Sequence, residues 1–287
     1  MGPPPLYKYP RTPHLVGSAV QAGDDPAPAS YDSLLELFSG ARRTGGPVLT
    51  SASEAVLVVE EKLDGSNCGI SFSPDGRLWI QSRGHYLVGG PREKHFSLLK
   101  SWAATHHSSL WAALGTRYIL YGEWLEAKHT IYYDALPHYF LEFDVFDTHH
   151  STFLGTQVRR ELLSGLPVVS VPVLSYGRPP SAADLRAMLR PSLYKTAEWN
   201  THLREAAIRH GQDPDRVASE TDPSILAEGL YLKVEQDGVV RSRHKLVRSG
   251  FLNHIIGNDG APSEHWLDRP HVPNRLAAST TKTEAAA

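Results

Sequence analysis

Lys62 ends the apolar run Val56-Leu57-Val58-Val59-Glu60-Glu61 and is followed by Leu63-Asp64-Gly65. An amine presented from the end of a rigid strand can act as a nucleophile, but only after it loses its proton. Its reference pKa near 10.4 would have to fall to about 7–8, roughly 3–5 kcal/mol of work by nearby cations and desolvation. Lys-x-Asp-Gly arises by chance in roughly one chain in fifteen of this length, so alone it decides little. Its weight comes from the ordered series of motifs downstream: Ser82-Arg83-Gly84, Gly122-Glu123, Glu142-Phe143-Asp144, Glu228-Gly229-Leu230-Tyr231-Leu232-Lys233 and Arg243-His244-Lys245. Asp64, Glu123 and Glu228 are hard oxygen donors of the kind that hold hydrated Mg²⁺ or Mn²⁺. Lys233, Arg243 and Lys245 supply positive charge. Arg243 and Lys245 share strand parity, so both can reach one phosphate. Glu228 and Lys233 have opposite parity and would share a pocket only through a bend at Gly229.

The elements that must carry these residues are mostly strands. Val56–Leu63 reads as buried strand, and Gly69–Phe72 and Leu78–Ser82 read as a hairpin turning at Ser73-Pro74-Asp75-Gly76. Tyr118–Trp124 and Tyr139–Phe146 are further strands, and Asp237-Gly238 joins Gly229–Glu235 to Val239–Val247. Ser30 can cap a short helix carrying Leu34, Leu35 and Phe38 and stopping at Gly40. Leu185, Met188 and Leu189, then Trp199, Leu203, Ala206 and Ala207, fall at helical spacing, which implies a helical insertion over about 150–227. Residues 1–54 are expected to pack on a 55–266 core, with 267–287 a disordered tail.

Composition narrows the function classes. The chain has 287 residues, a net charge of −2 and one cysteine, Cys68. It has no internal disulfide, no Cys/His spacing of a zinc site and no apolar run long enough to span a membrane, so any metal is expected on oxygens. The N-terminus lacks a signal-peptide layout, and the chain reads as soluble and cytoplasmic. Near-neutral charge confines nucleic-acid contact to local patches such as Arg241–Arg248. The adjacent pairs His106-His107 and His149-His150 read as solvated.

The ordered motifs resemble the covalent nucleotidyltransferase superfamily of DNA ligases, RNA ligases and capping enzymes over roughly residues 55–250. Asn67, five places after the lysine, matches one RNA ligase branch where DNA ligases and capping enzymes tend to carry Arg. The stretches 8–15 and 123–147 are likewise similar to bacterial and phage RNA-ligase-domain proteins. The resemblance implies an α+β nucleotidyltransferase domain of antiparallel sheets flanked by helices, with little room for a separate C-terminal domain. It implies ATP as substrate, Mg²⁺ or Mn²⁺, and RNA ends bearing a 5′-phosphate and a 3′-hydroxyl, prepared by an end-healing kinase or phosphatase. DNA ligase, RNA guanylyltransferase and an inactive nucleic-acid-binding relative are the alternatives.

On that resemblance, Lys62, Asp64, Glu123, Glu228, Lys233 and Lys245 carry catalysis. Asp64, Glu123 and Glu228 hold the metal, and Glu61, Asn67, Arg83, Phe143 and Arg243 join Lys62, Glu123, Lys233 and Lys245 in binding the nucleotide. Phe143 can stack on adenine, and Asp144, on the opposite strand face, reads as an orienting residue. Blander readings stand beside these. A strand aromatic is usually core, Arg83 can be a surface arginine, and Asn67 follows Asp-Gly-Ser, where Asn serves turns. Lys128, His129 and Tyr132 suit nucleic acid or an ordinary polar loop.

Overall fold

Five consecutive residues of the first strand, Leu57–Glu61, are buried, which a strand sustains only where both of its faces are covered. The computed structural model describes residues 2–20, 28–36, 38, 54–254 and 271–278. The helix stop expected at Gly40 and the end of the expected tail, 279–287, lie outside the described residues. The strands are β1 (Val56–Lys62), β2 (Ser66–Phe72), β3 (Leu78–Ser82), β4 (Tyr118–Trp124), β5 (Phe140–Asp147), β6 (Thr152–Leu154), β7 (Val169–Ser170), β8 (Val173–Gly177), β9 (Gly229–Gln236) and β10 (Val239–Val247). The helices are α1 (Tyr31–Glu36), α2 (Ser97–Thr105), α3 (His107–Leu114), α4 (Thr156–Leu162), α5 (Ala182–Ala187), α6 (Trp199–Arg209) and α7 (Pro214–Ser219). The class is α+β, as the sequence implies.

Local chemistry accounts for the joints. Asp237 and Gly238 have φ of 55° and 73°, the left-handed pair of a type I′ turn that matches strand twist. Ser30 caps α1 through its Oγ, which accepts from Ser33 N at 2.9 Å.

The sheet runs β3-β2-β4-β5-β6-β10-β9-β1-β8, antiparallel throughout, with β7 added parallel to β5. The three-residue β6 pairs two residues with β5 and two with β10, so the sheet is two well-paired halves joined by a narrow link. Leu99, Ala103, Leu110 and Leu114 of α2 and α3 cover one half, against Ile70, Phe72, Leu120 and Phe140. Leu57 and Val59 of β1, with Leu230, Leu232 and Val234 of β9, form a second core under Leu15, Leu34 and Leu185.

Two expectations change. The region 150–227 is not wholly helical, because β6, β7, β8 and α4 occupy 152–177 before the three helices of 182–219. Within the expected tail, residues 271–278 pair with the chain after β4. Lys128 N donates to Val272 O at 2.8 Å, Asn274 N to Glu126 O at 2.8 Å, and Val272 and Asn274 are buried.

Between the halves lies a buried charge network. Lys233 Nζ is 2.9 Å from Glu60 Oε2 and 3.1 Å from Asp144 Oδ1, and it also donates to the Phe143 carbonyl. Arg159 of α4 reaches Glu60 at 3.0 Å and Glu142 at 3.1 Å, and Arg243 reaches Asp144 at 3.1 Å. Three cations thus face three carboxylates, all of them buried except Arg243, which is 13% exposed. Removing one member strands its partners without water. Arg159→Met should therefore lose about 3–5 kcal/mol in urea unfolding. A loss below about 1 kcal/mol would show that the network does not hold the halves together.

Candidate active site

A cavity of about 660 Å³ opens between the two halves of the sheet. Lys62 enters it from the last position of β1, where it pairs in register with Gly229. A Cβ on Gly229 would lie 2.2 Å from the Leu246 carbonyl, so only glycine lets β9 start this close to β10. Glu228, just ahead of that start, is carried to Lys62, and its Oε2 lies 2.6 Å from Nζ. Gly65 meets the same constraint, since its Cβ would fall 2.6 Å from Trp124 O. Its N–H donates instead to Glu123 Oε1 at 3.0 Å.

The charge balance around Lys62 is acidic. Burial raises both Glu123 and Glu228 to about 7, opposed in each case by Lys62 and reinforced by Asp64, with Glu228 adding to the rise of Glu123. Burial works against the charge on Lys62, yet Glu228, Glu123 and Asp64 outweigh it and hold the amine above its ordinary range. The lowered lysine pKa anticipated from sequence is therefore not the state of the site without nucleotide. Carboxylates held near neutrality beside one another suit a divalent cation, which would relieve both their mutual repulsion and their burial. Glu123 and Glu228 fit that role. Asp64 fits less well, because its Oδ2 accepts from Thr130 N at 2.8 Å and Ile131 N at 2.7 Å. Among the described residues, Asp64, Glu123 and Glu228 do not gather into one compact ligand cluster.

The other sequence candidates divide between the cavity wall and its support. Lys245, Asn67, Arg83 and Phe143 line the cavity. Asn67 lies on β2 opposite Glu123, not in the turn expected after Gly65, and its Oδ1 is buried with no hydrogen-bond partner. Arg83 is exposed. Phe143 is half-buried and meets Tyr9 edge-on, with centroids 5.3 Å apart. Glu61 also borders the cavity, but its carboxylate is held on the opposite face of β1, where Ser192 Oγ donates to it at 2.5 Å and Leu193 N at 3.1 Å. Lys233 and Arg243 share the strand face of Lys245 but lie in the buried network, outside the cavity lining. Asp144 is the centre of that network, paired with both Lys233 and Arg243. The bend anticipated at Gly229 takes the form of a strand start, and it brings Glu228 to Lys62 while Lys233 turns inward. Lys128, His129 and Tyr132 are buried, with Lys128 Nζ donating to the carbonyls of His129 and Glu220.

Residue-by-residue reading misses Tyr9, Arg11, Thr12 and Tyr231, which also line the cavity. Tyr9 donates to Asp144, and its hydroxyl lies 2.8 Å from that of Tyr231. Lys245 N donates to Pro13 O, and Leu15 N to Lys245 O, each at 2.9 Å, seating the N-terminal segment against β10. The signal available in sequence is the 8–15 stretch as a whole, in which no single residue stands out as catalytic.

A family model described as RNA ligase matches residues 55–247. Curated proteins give no match. Among solved structures, a Naegleria gruberi RNA ligase variant with ATP and Mn is similar at 19% identity and a TM-score of 0.43, over 69% of this chain and 51% of that chain. The Naegleria gruberi RNA ligase with PPi is similar at 16% identity and a TM-score of 0.48, over 88% of this chain and 63% of that chain. An archaeal ATP-dependent RNA ligase is similar at 17% identity and a TM-score of 0.44, over 74% of this chain and 47% of that chain. The chain thus spans about half the length of the first of these.

The acidity of the site has a measurable consequence. Glu123 rises from an ordinary 4.5 to about 7 in the folded chain, so its contribution to stability is full below the lower value and is lost as pH climbs through the upper one. Glu123→Gln removes that loss while keeping an oxygen for Gly65 N–H. It should raise the melting temperature by about 2–4 °C near pH 8, the shift that about 1 kcal/mol produces in a chain of this size, and change little near pH 5. Equal shifts at both pH values would contradict the electrostatic account.

Proposed function

The chain belongs to the RNA ligase family, and from that premise we propose that it is an ATP-dependent RNA ligase working through covalent Lys62-AMP. The observation that carries the reading is the Lys62–Glu228 pair, 2.6 Å apart at the end of a rigid strand and open to the cavity. One carboxylate is enough to pair a structural lysine, whereas here two further acids crowd the same amine and two of the three are pushed to about 7. Strained ionisation of this kind marks working sites.

In the proposed reaction Lys62 Nζ attacks the α-phosphorus of ATP, an N–P bond forms, the bond to the bridging oxygen breaks, and pyrophosphate leaves. Glu228 Oε2, 2.6 Å from Nζ, is an acceptor for the amine proton, its other oxygen remaining for the metal. Triphosphate entering the cavity competes for Lys62 against Glu228, which changes the amine's surroundings before attack. Lys245 meets phosphate charge, and Phe143 offers a ring face to adenine. Mg²⁺ or Mn²⁺ held by Glu123 and Glu228, with Asp64 contributing through its remaining oxygen, would neutralise phosphate charge. AMP then passes to the 5′-phosphate of an RNA end, and a 3′-hydroxyl displaces it to form the phosphodiester. Arg83, at the exposed rim, suits a phosphate of that end.

Lys233, Arg243, Asp144 and Glu61 act in this reading as positioning residues: the first three set β5, β9 and β10 around the cavity, and Glu61 fixes β1 beneath it. A kinase or phosphatase would supply ends of the right chemistry. Residues 55–266 form the proposed transferase unit, with the N-terminal segment packed on it.

Three results test the reading. With labelled ATP, Glu228→Ala and Lys245→Ala should each slow adenylylation at least about 100-fold, the scale of losing a charged transition-state contact. Labelled GTP should give no adduct, and an adduct with GTP in preference to ATP would make the chain a guanylyltransferase. Asn67→Ala should still form the adduct but seal preadenylylated RNA about 100-fold more slowly, since an Oδ1 buried at the cavity without a hydrogen-bond partner can hold the reacting end in line. Sealing at the wild-type rate would return Asn67 to a structural role.

A further inference from the structure

Away from Lys62, three side chains that share no sequence motif converge. The ligating atoms of His95, Glu126 and His271 all lie within 4.8 Å of one another. His271 Nε2 is 2.9 Å from Glu126 Oε2, and the His95 and His271 ring centroids are 4.8 Å apart. We propose that these residues form a binding site for a divalent transition-metal ion of the zinc class, which fastens the 271–278 segment to the core.

Each ligand is held by its own backbone. His95 sits in the 3-10 turn Pro91–Phe96, and its carbonyl accepts from Trp124 Nε1 at 2.7 Å. Glu126 follows β4, and its carbonyl accepts from Asn274 N at 2.8 Å. His271 precedes Val272, whose carbonyl accepts from Lys128 N at 2.8 Å. Three separate parts of the chain are thereby fixed around one point, as a preformed metal site requires. A tetrahedral ion with bonds of about 2.0–2.1 Å places its ligands about 3.3 Å apart, so the widest pair here must close by roughly 1–1.5 Å.

The donor set selects the ion. Two imidazoles and one carboxylate suit zinc and its neighbours, whereas hard oxygen ligands of the Glu123 and Glu228 type suit Mg²⁺ or Mn²⁺. His95 and Glu126 are buried while the His271 side chain is 33% exposed, which leaves a way in and a fourth position for water. The site is separate from the acids around Lys62 and does not depend on the ligase reading.

The test uses the full chain and the metal alone. Stripped protein is titrated with Co²⁺ in excess Mg²⁺ and followed by visible d–d absorption, then with Zn²⁺ in competition. One ion per chain, with a tetrahedral-type spectrum displaced by Zn²⁺, is expected. His271→Gln and His95→Gln should each weaken binding more than about 100-fold, beyond the 10–100-fold that disturbing an outer partner causes. Glu228→Ala should bind as wild type does. Zn²⁺ should also raise the melting temperature of the wild type and not of His271→Gln, which separates loss of the ligand from loss of the fold. No tight Co²⁺ binding, or binding indifferent to His271→Gln and His95→Gln, would overturn the proposal and leave the 2.9 Å contact as an ordinary hydrogen bond.

Discussion

Glu60, Glu142 and Asp144 are shut away from water together with Arg159 and Lys233, with Arg243 at the edge, and each buried charge is tolerable only because the others are there. The six side chains come from β1, β5, α4, β9 and β10, so satisfying them sets the two halves of the sheet against each other. Among the described residues the backbone links between those halves are short: the three-residue β6, and the 169–177 segment, which pairs with β5 through β7 and with β1 through β8. The cavity between them owes its width to this charge network as much as to hydrogen-bonded strands. Lys62 is two residues beyond Glu60 on the same face of β1, so fixing Glu60 also aims the amine.

The network and the site above it solve opposite problems. Below, three positive groups match three negative ones, and Lys233 and Arg243 both stay charged. Above, Lys62 faces Glu228, Glu123 and Asp64 with too little positive charge, and two of the acids are raised to about 7. That imbalance weakens the folded chain near neutral pH and is relieved by what the site would bind. A phosphate-bearing substrate with a divalent ion brings both the ligands for Lys62 and the charge for the acids.

Strand positions are largely legible in sequence because turn chemistry and apolar runs are local. Leu78–Ser82, Tyr118–Trp124 and Val239–Val247 fall where turn and strand signals put them. Asn67 reads as a turn residue because Asp64-Gly65-Ser66 signals a turn, yet pairing with β4 draws the strand back to Ser66. Pairing with Arg243 puts Lys233 on the face of Lys245, a register that parity within one strand does not supply, and nothing local shows that Asp144 captures it. Arg159 has no local mark at all, since an arginine on a helix is usually solvated. His95, Glu126 and His271 are invisible for the same reason: their meeting depends on the 271–278 segment folding back, which composition near the C-terminus does not suggest.

The central claim is that Lys62 is the atom-bearing nucleophile of a nucleotidyl transfer and not a paired structural lysine. Its most direct test is mass-spectrometric mapping of the full chain after incubation with ATP and Mn²⁺, without RNA. The account predicts a single AMP adduct confined to the peptide containing Lys62, discharged on adding pyrophosphate. An adduct on any other residue, or none in a folded protein that binds ATP, would contradict it.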